Sequence, residues 1–146
     1  MPEGKEINVS IVLSNLGHET TALGFLAGFA GKEIENQLQS YGCHSKFIHV
    51  KNGLSRINIK MKSDEETEIN GKGPDITSEN IHELFSYLDQ IKDDDILVIS
   101  GSVPNTLPNC MYELIMEHLK NKNIKIIVDA TKDLLLNVLK YHPFFN

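Results

Sequence analysis

The sequence predicts an α/β fold, a mainly parallel sheet with helices flanking it, and three observations carry that expectation. Two continuous apolar runs, DILVIS and IKIIVD, have the length and composition of strands buried on both faces. Each follows a segment whose apolar residues recur at helical spacing, the alternation expected of parallel-strand units. A single stretch between Ser55 and Gly73 alternates with period two instead, which marks a hairpin inserted into that plan.

Taken in order, the first helix is expected from Ile7 to Leu16, with Gly17 placed as its C′ residue. Thr20 to Leu26 reads as a short buried strand. Gly28 and Gly31 then lead into the amphipathic helix GKEIENQLQSYG, which closes at Gly42. A strand follows at Lys46 to Val50. In SRINIKMK, Ile57, Ile59 and Met61 alternate with Arg56, Asn58, Lys60 and Lys62, so one face is apolar and the other polar. The acidic turn SDEE joins this strand to TEIN, and GKGP ends the pair. Thr77 can cap a helix that places Ile81, Leu84, Phe85, Leu88 and Ile91 on one face. DILVIS comes next, then the loop GSVPNTLP, a helix carrying Leu114, Ile115 and Leu119, the strand IKIIVD, and a last helix DLLLNVLKY.

At 146 residues the chain has the size of one domain, long enough to bury a real core. A net charge of −6 argues against sequence-independent nucleic-acid binding, which needs a basic surface. It leaves room for a small anion held by a few local cations. Cys43 and Cys110 form no CxxC and read as reduced thiols; no histidine shows metal-ligand spacing with another histidine or cysteine. No apolar h-region opens the chain and no run approaches a membrane span, so a cytoplasmic location with no membrane partner is expected.

In open α/β sheets ligands bind beyond the carboxyl ends of the strands, which makes the residues after each strand the candidates. The glycines of GFLAGFAG are spaced unlike a dinucleotide fingerprint and read as a tight strand-to-helix turn; there is no Walker-type loop. After DILVIS, Gly101 and Ser102 offer a hydroxyl and main-chain N–H groups to a phosphate or sugar oxygen, or form a plain turn. Arg56 either meets solvent or uses its planar fork on phosphate oxygens, with Asn58 on the same strand face. Asp129 is an ordinary strand-end carboxylate or a metal- or phosphate-side ligand. At the other end, Gly4 and Lys5 open the first helix and suit an anion, or are a charged tail.

Together, GKEINVSIVLSNLGHETTALGFLAGFAG, RINIK, EETEINGKGP, LVISGSVP and IIVDAT occur in an order and spacing that closely resembles the ribokinase-like (PfkB-type) sugar kinases. Within them the resemblance is to the 1-phosphofructokinase and tagatose-6-phosphate kinase branch, and it covers nearly the whole chain. It implies a ribokinase-like parallel sheet, incomplete here, in a single partial kinase domain with a β-lid at about 46–74 inserted. It also implies ATP and Mg as cofactors, a phosphorylated ketohexose as substrate, and the lid as a candidate homodimer contact. By resemblance, Gly4, Lys5 and Asn8 correspond to a Gly-Gly-Lys-Gly-x-Asn loop that meets the sugar phosphate. Arg56 matches the lid arginine on its phosphate, with Asn58 beside it, and Ser102 matches a substrate-contacting Gly-Ser. Asp129 corresponds to the acid of an Asp-x-Ser-Gly stretch on the nucleotide or metal side, although this chain reads DATK.

Three departures from the family pattern accompany the match. Glu3 and Glu6 stand where the family has glycine, adding side chains and negative charge beside an anion site. At an effective dielectric of about 20, a unit charge at ~4 Å is worth on the order of 4 kcal/mol before screening. The family's preceding strand, with its sugar-binding aspartate, has no counterpart. The Gly-Ala-Gly-Asp loop that supplies the general base is expected beyond Asn146, so no catalytic residue is assigned within the chain. The expectation is a fragment of a sugar-phosphate kinase, inactive by itself, with sheet edges and an apolar face left uncovered. The alternative is a truncated protein that at most binds a sugar phosphate or a partner chain.

Overall fold

The computed structural model describes residues 5–55, 58–62, 66–70, 73–101, 103–130 and 132–144; for residues 5, 6, 58–62, 66–70 and 132 the backbone alone is described. Helix α1 spans Lys5–Asn15, β1 Thr21–Ala27, α2 Gly28–Ser40 and β2 His44–Val50. Strands β3 (Asn58–Lys62) and β4 (Glu66–Asn70) form the hairpin, and α3 (Ser78–Asp89) follows. The chain continues through β5 (Ile96–Ser100), α4 (Met111–Leu119), β6 (Lys125–Asp129) and α5 (Lys132–Val138), and a 3₁₀ turn spans Leu139–Tyr141.

Strands β1 and β2 pair in parallel, in register from Thr21 opposite His44 to Ala27 opposite Val50. Likewise β5 and β6 pair in parallel, from Ile96 opposite Lys125 to Ser100 opposite Asp129. The hairpin is antiparallel, Asn58 facing Asn70 and Lys62 facing Glu66. The α/β plan of parallel strands with flanking helices is therefore present. Its parallel strands form two separate two-stranded ladders among the described residues.

Side chains alternating along these strands separate two apolar layers. Leu23 and Phe25 of β1, Ile48 of β2, Ile99 and Val128 pack with Leu84 and Leu88 of α3, with Met111, Tyr112, Ile115, Met116 and Leu119 of α4, and with Val138. Ala22 and Phe47 turn the other way, onto Ile7 and Ile11 of α1, Ile34 and Leu38 of α2, and Cys43. One core thus joins both ladders, and α1 touches both β1 and β5.

The start of β5 departs from the expected two-sided burial. Ile99 is buried, but Val98 is half-buried and Ile96 is 60% exposed. The second layer packs α1 and α2 on Ala22 of β1 and Phe47 of β2, and among the described residues its buried cluster includes no side chain of β5.

Local chemistry sets the helix ends. Gly17 takes the expected C′ position with φ of +84°, where an L side chain would be strained. Its N–H donates to the Ser14 carbonyl at 2.9 Å and the His18 N–H to the Leu13 carbonyl at 3.0 Å, completing the two-bond stop. Helix α2 starts at Gly28, a turn earlier than expected, because Ala27 at the end of β1 already serves as its N-cap.

Thr77 caps α3 as expected. Its hydroxyl accepts from the Asn80 N–H at 3.3 Å, while Asn80 Oδ1 accepts from the Thr77 N–H at 3.0 Å. Glu79, in the first turn, accepts a hydrogen bond from its own backbone N–H and a second from Thr77, and both hold its carboxyl below the usual carboxylate value. A lowered folded value contributes stability above the unfolded value, and that contribution is lost as pH falls through the folded one. Thr77→Ala is expected to lower unfolding stability by about 1 kcal/mol. Urea unfolding at neutral pH checks this, and the difference from the unsubstituted chain should shrink at acidic pH.

Candidate functional site at the carboxyl ends of the strands

The path of the chain fixes the direction of β5 relative to β2. After the hairpin, the returning segment meets the end of β2 again, where the Asp75 N–H donates to the Asn52 carbonyl at 3.3 Å. Helix α3 then runs back along β2, and Lys46 Nζ near the start of that strand donates to Gln90 Oε1 at 3.0 Å just past the helix. From there β5 starts, so it runs parallel to β1 and β2. The carboxyl ends of all four parallel strands, and both legs of the hairpin, therefore lie at one end of the molecule. Helix α1 leads into β1 through a short turn and runs against it, which brings its first residues to the same end.

At the end of β5 the Gly101 N–H donates to the Asp129 carbonyl at 3.2 Å, so the two strand ends stay paired into the loop. Tyr112 on α4 supports this point from below. Its hydroxyl lies 3.1 Å from the Ser100 carbonyl and 3.0 Å from that of Gly101 and donates to this pair. The Pro104 carbonyl accepts from the Leu107 N–H at 3.0 Å, closing the loop into a turn. Ser100 Oγ, just before this loop, and Thr106 Oγ1, within its turn, are buried without a partner among the described residues.

At the end of β1, Ser55 meets Ala27 through both main-chain groups of that residue: the Ala27 N–H donates to Ser55 Oγ at 2.9 Å, and the Ser55 N–H donates to the Ala27 carbonyl at 3.0 Å. Gly31, read from the sequence as part of a turn, lies inside α2. A Cβ there would come within 2.9 Å of Ser55 Oγ and of Leu26 Cβ, so glycine is needed for close approach. Gly53 has φ of +96°, and a Cβ on it would sit 2.9 Å from Pro74 Cα, where the two hairpin legs cross.

The predicted residues are distributed around this end. Asp129 is the exposed last residue of β6. Lys5 is the first residue of α1 and Asn8 lies exposed on the same helix face, three residues on. Asn58 begins β3 opposite Asn70. Gly4, Arg56 and Ser102 lie outside the described residues. Ser55 and Tyr112 are contributors that sequence patterning did not single out. Among the described residues no group of three or more His, Cys, Asp or Glu is placed to hold a metal ion, and no helix is long and apolar enough to cross a membrane.

Parallel strands between helix layers, with the loops and an inserted hairpin gathered at the carboxyl ends, define the α/β class of small-ligand proteins. The chain belongs to the pfkB family of carbohydrate kinases, whose model matches residues 2–144. It is 38% identical over 143 residues to a 1-phosphofructokinase of Bacillus subtilis, covering 98% of this chain and 47% of that protein. It is 41% identical, over the same length and coverage, to a D-tagatose-1-phosphate kinase of Bacillus licheniformis. A crystal structure of a phosphofructokinase candidate from Staphylococcus aureus superposes with a TM-score of 0.87 at 43% identity, over 97% of this chain and 46% of that one. The chain thus spans about half the length of the curated relatives it matches.

Gly53→Ala tests the crossing of the hairpin legs. The positive φ and the backbone contact at Pro74 together predict a loss of more than about 1 kcal/mol in urea unfolding.

Proposed function

We propose that this chain forms the sugar-phosphate side of a kinase that transfers a phosphoryl group from ATP to a ketohexose phosphate. Fructose 1-phosphate, converted to fructose 1,6-bisphosphate, is the first candidate substrate, and tagatose 6-phosphate, converted to tagatose 1,6-bisphosphate, the second. The observation that carries the reading is the family match across residues 2–144, supported by the gathering of hairpin legs, Gly101 and Asp129 at one end of the parallel strands. In this reading Gly4, Lys5, Asn8, Arg56, Asn58 and Ser102 supply the N–H groups, cations, amides and hydroxyl that hold the phosphorylated sugar.

Asp129 faces the nucleotide side. Magnesium is commonly held on substrate phosphates by one or two carboxylates, and a single exposed aspartate at a strand end is compatible with that. When bound, the ion would neutralise charge on the phosphates. The chain's own residues hold and orient the sugar phosphate, and positioning of this kind supplies much of the catalysis of phosphoryl transfer.

This 146-residue chain alone is proposed to bind a sugar phosphate weakly and to turn none over. ATP consumption by the purified chain, its length confirmed by intact mass, is the test. It is run with fructose 1-phosphate, tagatose 6-phosphate and tagatose 1-phosphate. The expected result is no substrate-dependent consumption, with millimolar binding in a ligand titration. Turnover overturns the inactivity, and the absence of all binding overturns the sugar-phosphate reading.

A further inference from the structure

Strands β1 and β5 lie side by side under α1 without pairing. They run in the same direction, yet among the described residues β1 bonds only β2 and β5 only β6. Helix α2 rests on β1 and β2, whereas α1 rests on β1 and β5, so β5 lies beside the edge of β1 that β2 does not take. A helix is about 10 Å across with its side chains, and neighbouring strands are about 4.8 Å apart. A helix resting on two unpaired strands therefore has room beneath it for one more strand between them.

The register shows which main-chain groups line the two edges, because alternate residues of a strand point their N–H and carbonyl to opposite sides. The His44 N–H donates to the Thr20 carbonyl at 3.0 Å, which turns Thr20, Ala22, Gly24 and Leu26 toward β2 and Thr21, Leu23 and Phe25 the other way. On β5, the Asp95 carbonyl accepts from the Lys125 N–H at 3.1 Å and the Gly101 N–H donates to the Asp129 carbonyl at 3.2 Å. Ile96 and Val98 therefore point away from β6. These groups of Thr21, Leu23, Phe25, Ile96 and Val98 find no main-chain partner among the described residues. At the carboxyl end both edges are closed, Ala27 by Ser55 and the Ser100 carbonyl by Tyr112.

Two facing rows of main-chain donors and acceptors are matched by another extended main chain. The layers on either side dictate its side chains. Leu23, Phe25 and Ile99 border one face in the main core, and Ile7 and Ile11 of α1 lie on the other. We propose that the space between β1 and β5 is a docking slot for an extended segment of another polypeptide, apolar on both faces, which joins the two ladders into one sheet. The proposal does not depend on the sugar-phosphate reading.

The probe is a synthetic peptide with a Val-Ile-Val-Ile-Val centre between terminal lysines, titrated into the purified chain. Two further peptides carry N-methyl groups on alternate residues, each blocking one edge. A strand held on both sides needs both edges, whereas a strand added to a single exposed edge can turn its unblocked side inward. Amide hydrogen exchange reads Leu23 and Phe25 on β1 and Val98 on β5, and sedimentation reads the oligomeric state. The unmodified peptide is expected to bind and to slow exchange at all three amides about tenfold, the scale of one buried hydrogen bond. Neither methylated peptide should bind. No binding by the unmodified peptide, protection confined to one of the two strands, or binding by either methylated peptide overturns the slot. A chain that is dimeric with these amides protected before any peptide is added has a second copy in the slot, which overturns the separate partner.

Discussion

Parallel pairing is the constraint from which the rest of this structure follows. Two parallel neighbours cannot be joined by a tight turn, so the chain must cross over a sheet face between β1 and β2 and again between β5 and β6. Those crossings are α2 and α4, and they account for apolar cover on both faces. The same constraint sends every strand in one direction. Each carboxyl end then falls at one edge, where loops are free of the sheet and their polar groups can turn to a ligand. The hairpin, itself antiparallel, is tolerated because it leaves and re-enters at that edge without disturbing either ladder.

Much of this plan was legible because it is written in local periodicities. DILVIS and IKIIVD are strands, Thr77 caps its helix, Gly17 ends one, and the period-two stretch is a hairpin. Each of those signals involves residues close together in the chain, so physics acting over a few residues suffices. What escaped is what depends on partners far along the chain. Ile96 has the composition of a fully buried residue and is exposed, because burial is set by which helix happens to lie over the strand end. Gly31 was read as a turn, yet its smallness answers to Ser55, which lies 24 residues further on by their numbers in the sequence.

The candidate site divides in the same way. Strand-end residues such as Gly101 and Asp129 could be found by locating the strands and reading to their ends, and the Gly101 N–H does bond the Asp129 carbonyl. Tyr112 gave no such signal. It is the second residue of a helix, and the packing of α4 beneath β5 brings its hydroxyl to the Ser100 and Gly101 carbonyls. Support of this kind is invisible to spacing because an aromatic residue on a buried helix face looks like core, and most of Tyr112 is core. The residue does both jobs: its ring fills the space under the sheet while its hydroxyl reaches the strand end.

Ser55 shows why a side chain can replace main chain at such a place. Ala27 is the last residue of β1, and its N–H and carbonyl are buried and must be met. A further strand would meet them with its own N–H and carbonyl, but only by running alongside β1. Ser55 supplies the donor from its backbone and the acceptor from its hydroxyl, so the backbone is free to turn away after a single residue. Leaving the Ala27 N–H unmet would cost about 1–3 kcal/mol, which is the strength of the preference for an oxygen there. Alanine cannot offer that acceptor, and any side chain at position 31 would bring a Cβ to within 2.9 Å of it. The point at which the chain leaves the sheet is therefore specified by a hydrogen-bonding requirement of the sheet itself, met by the same bonds that finish β1.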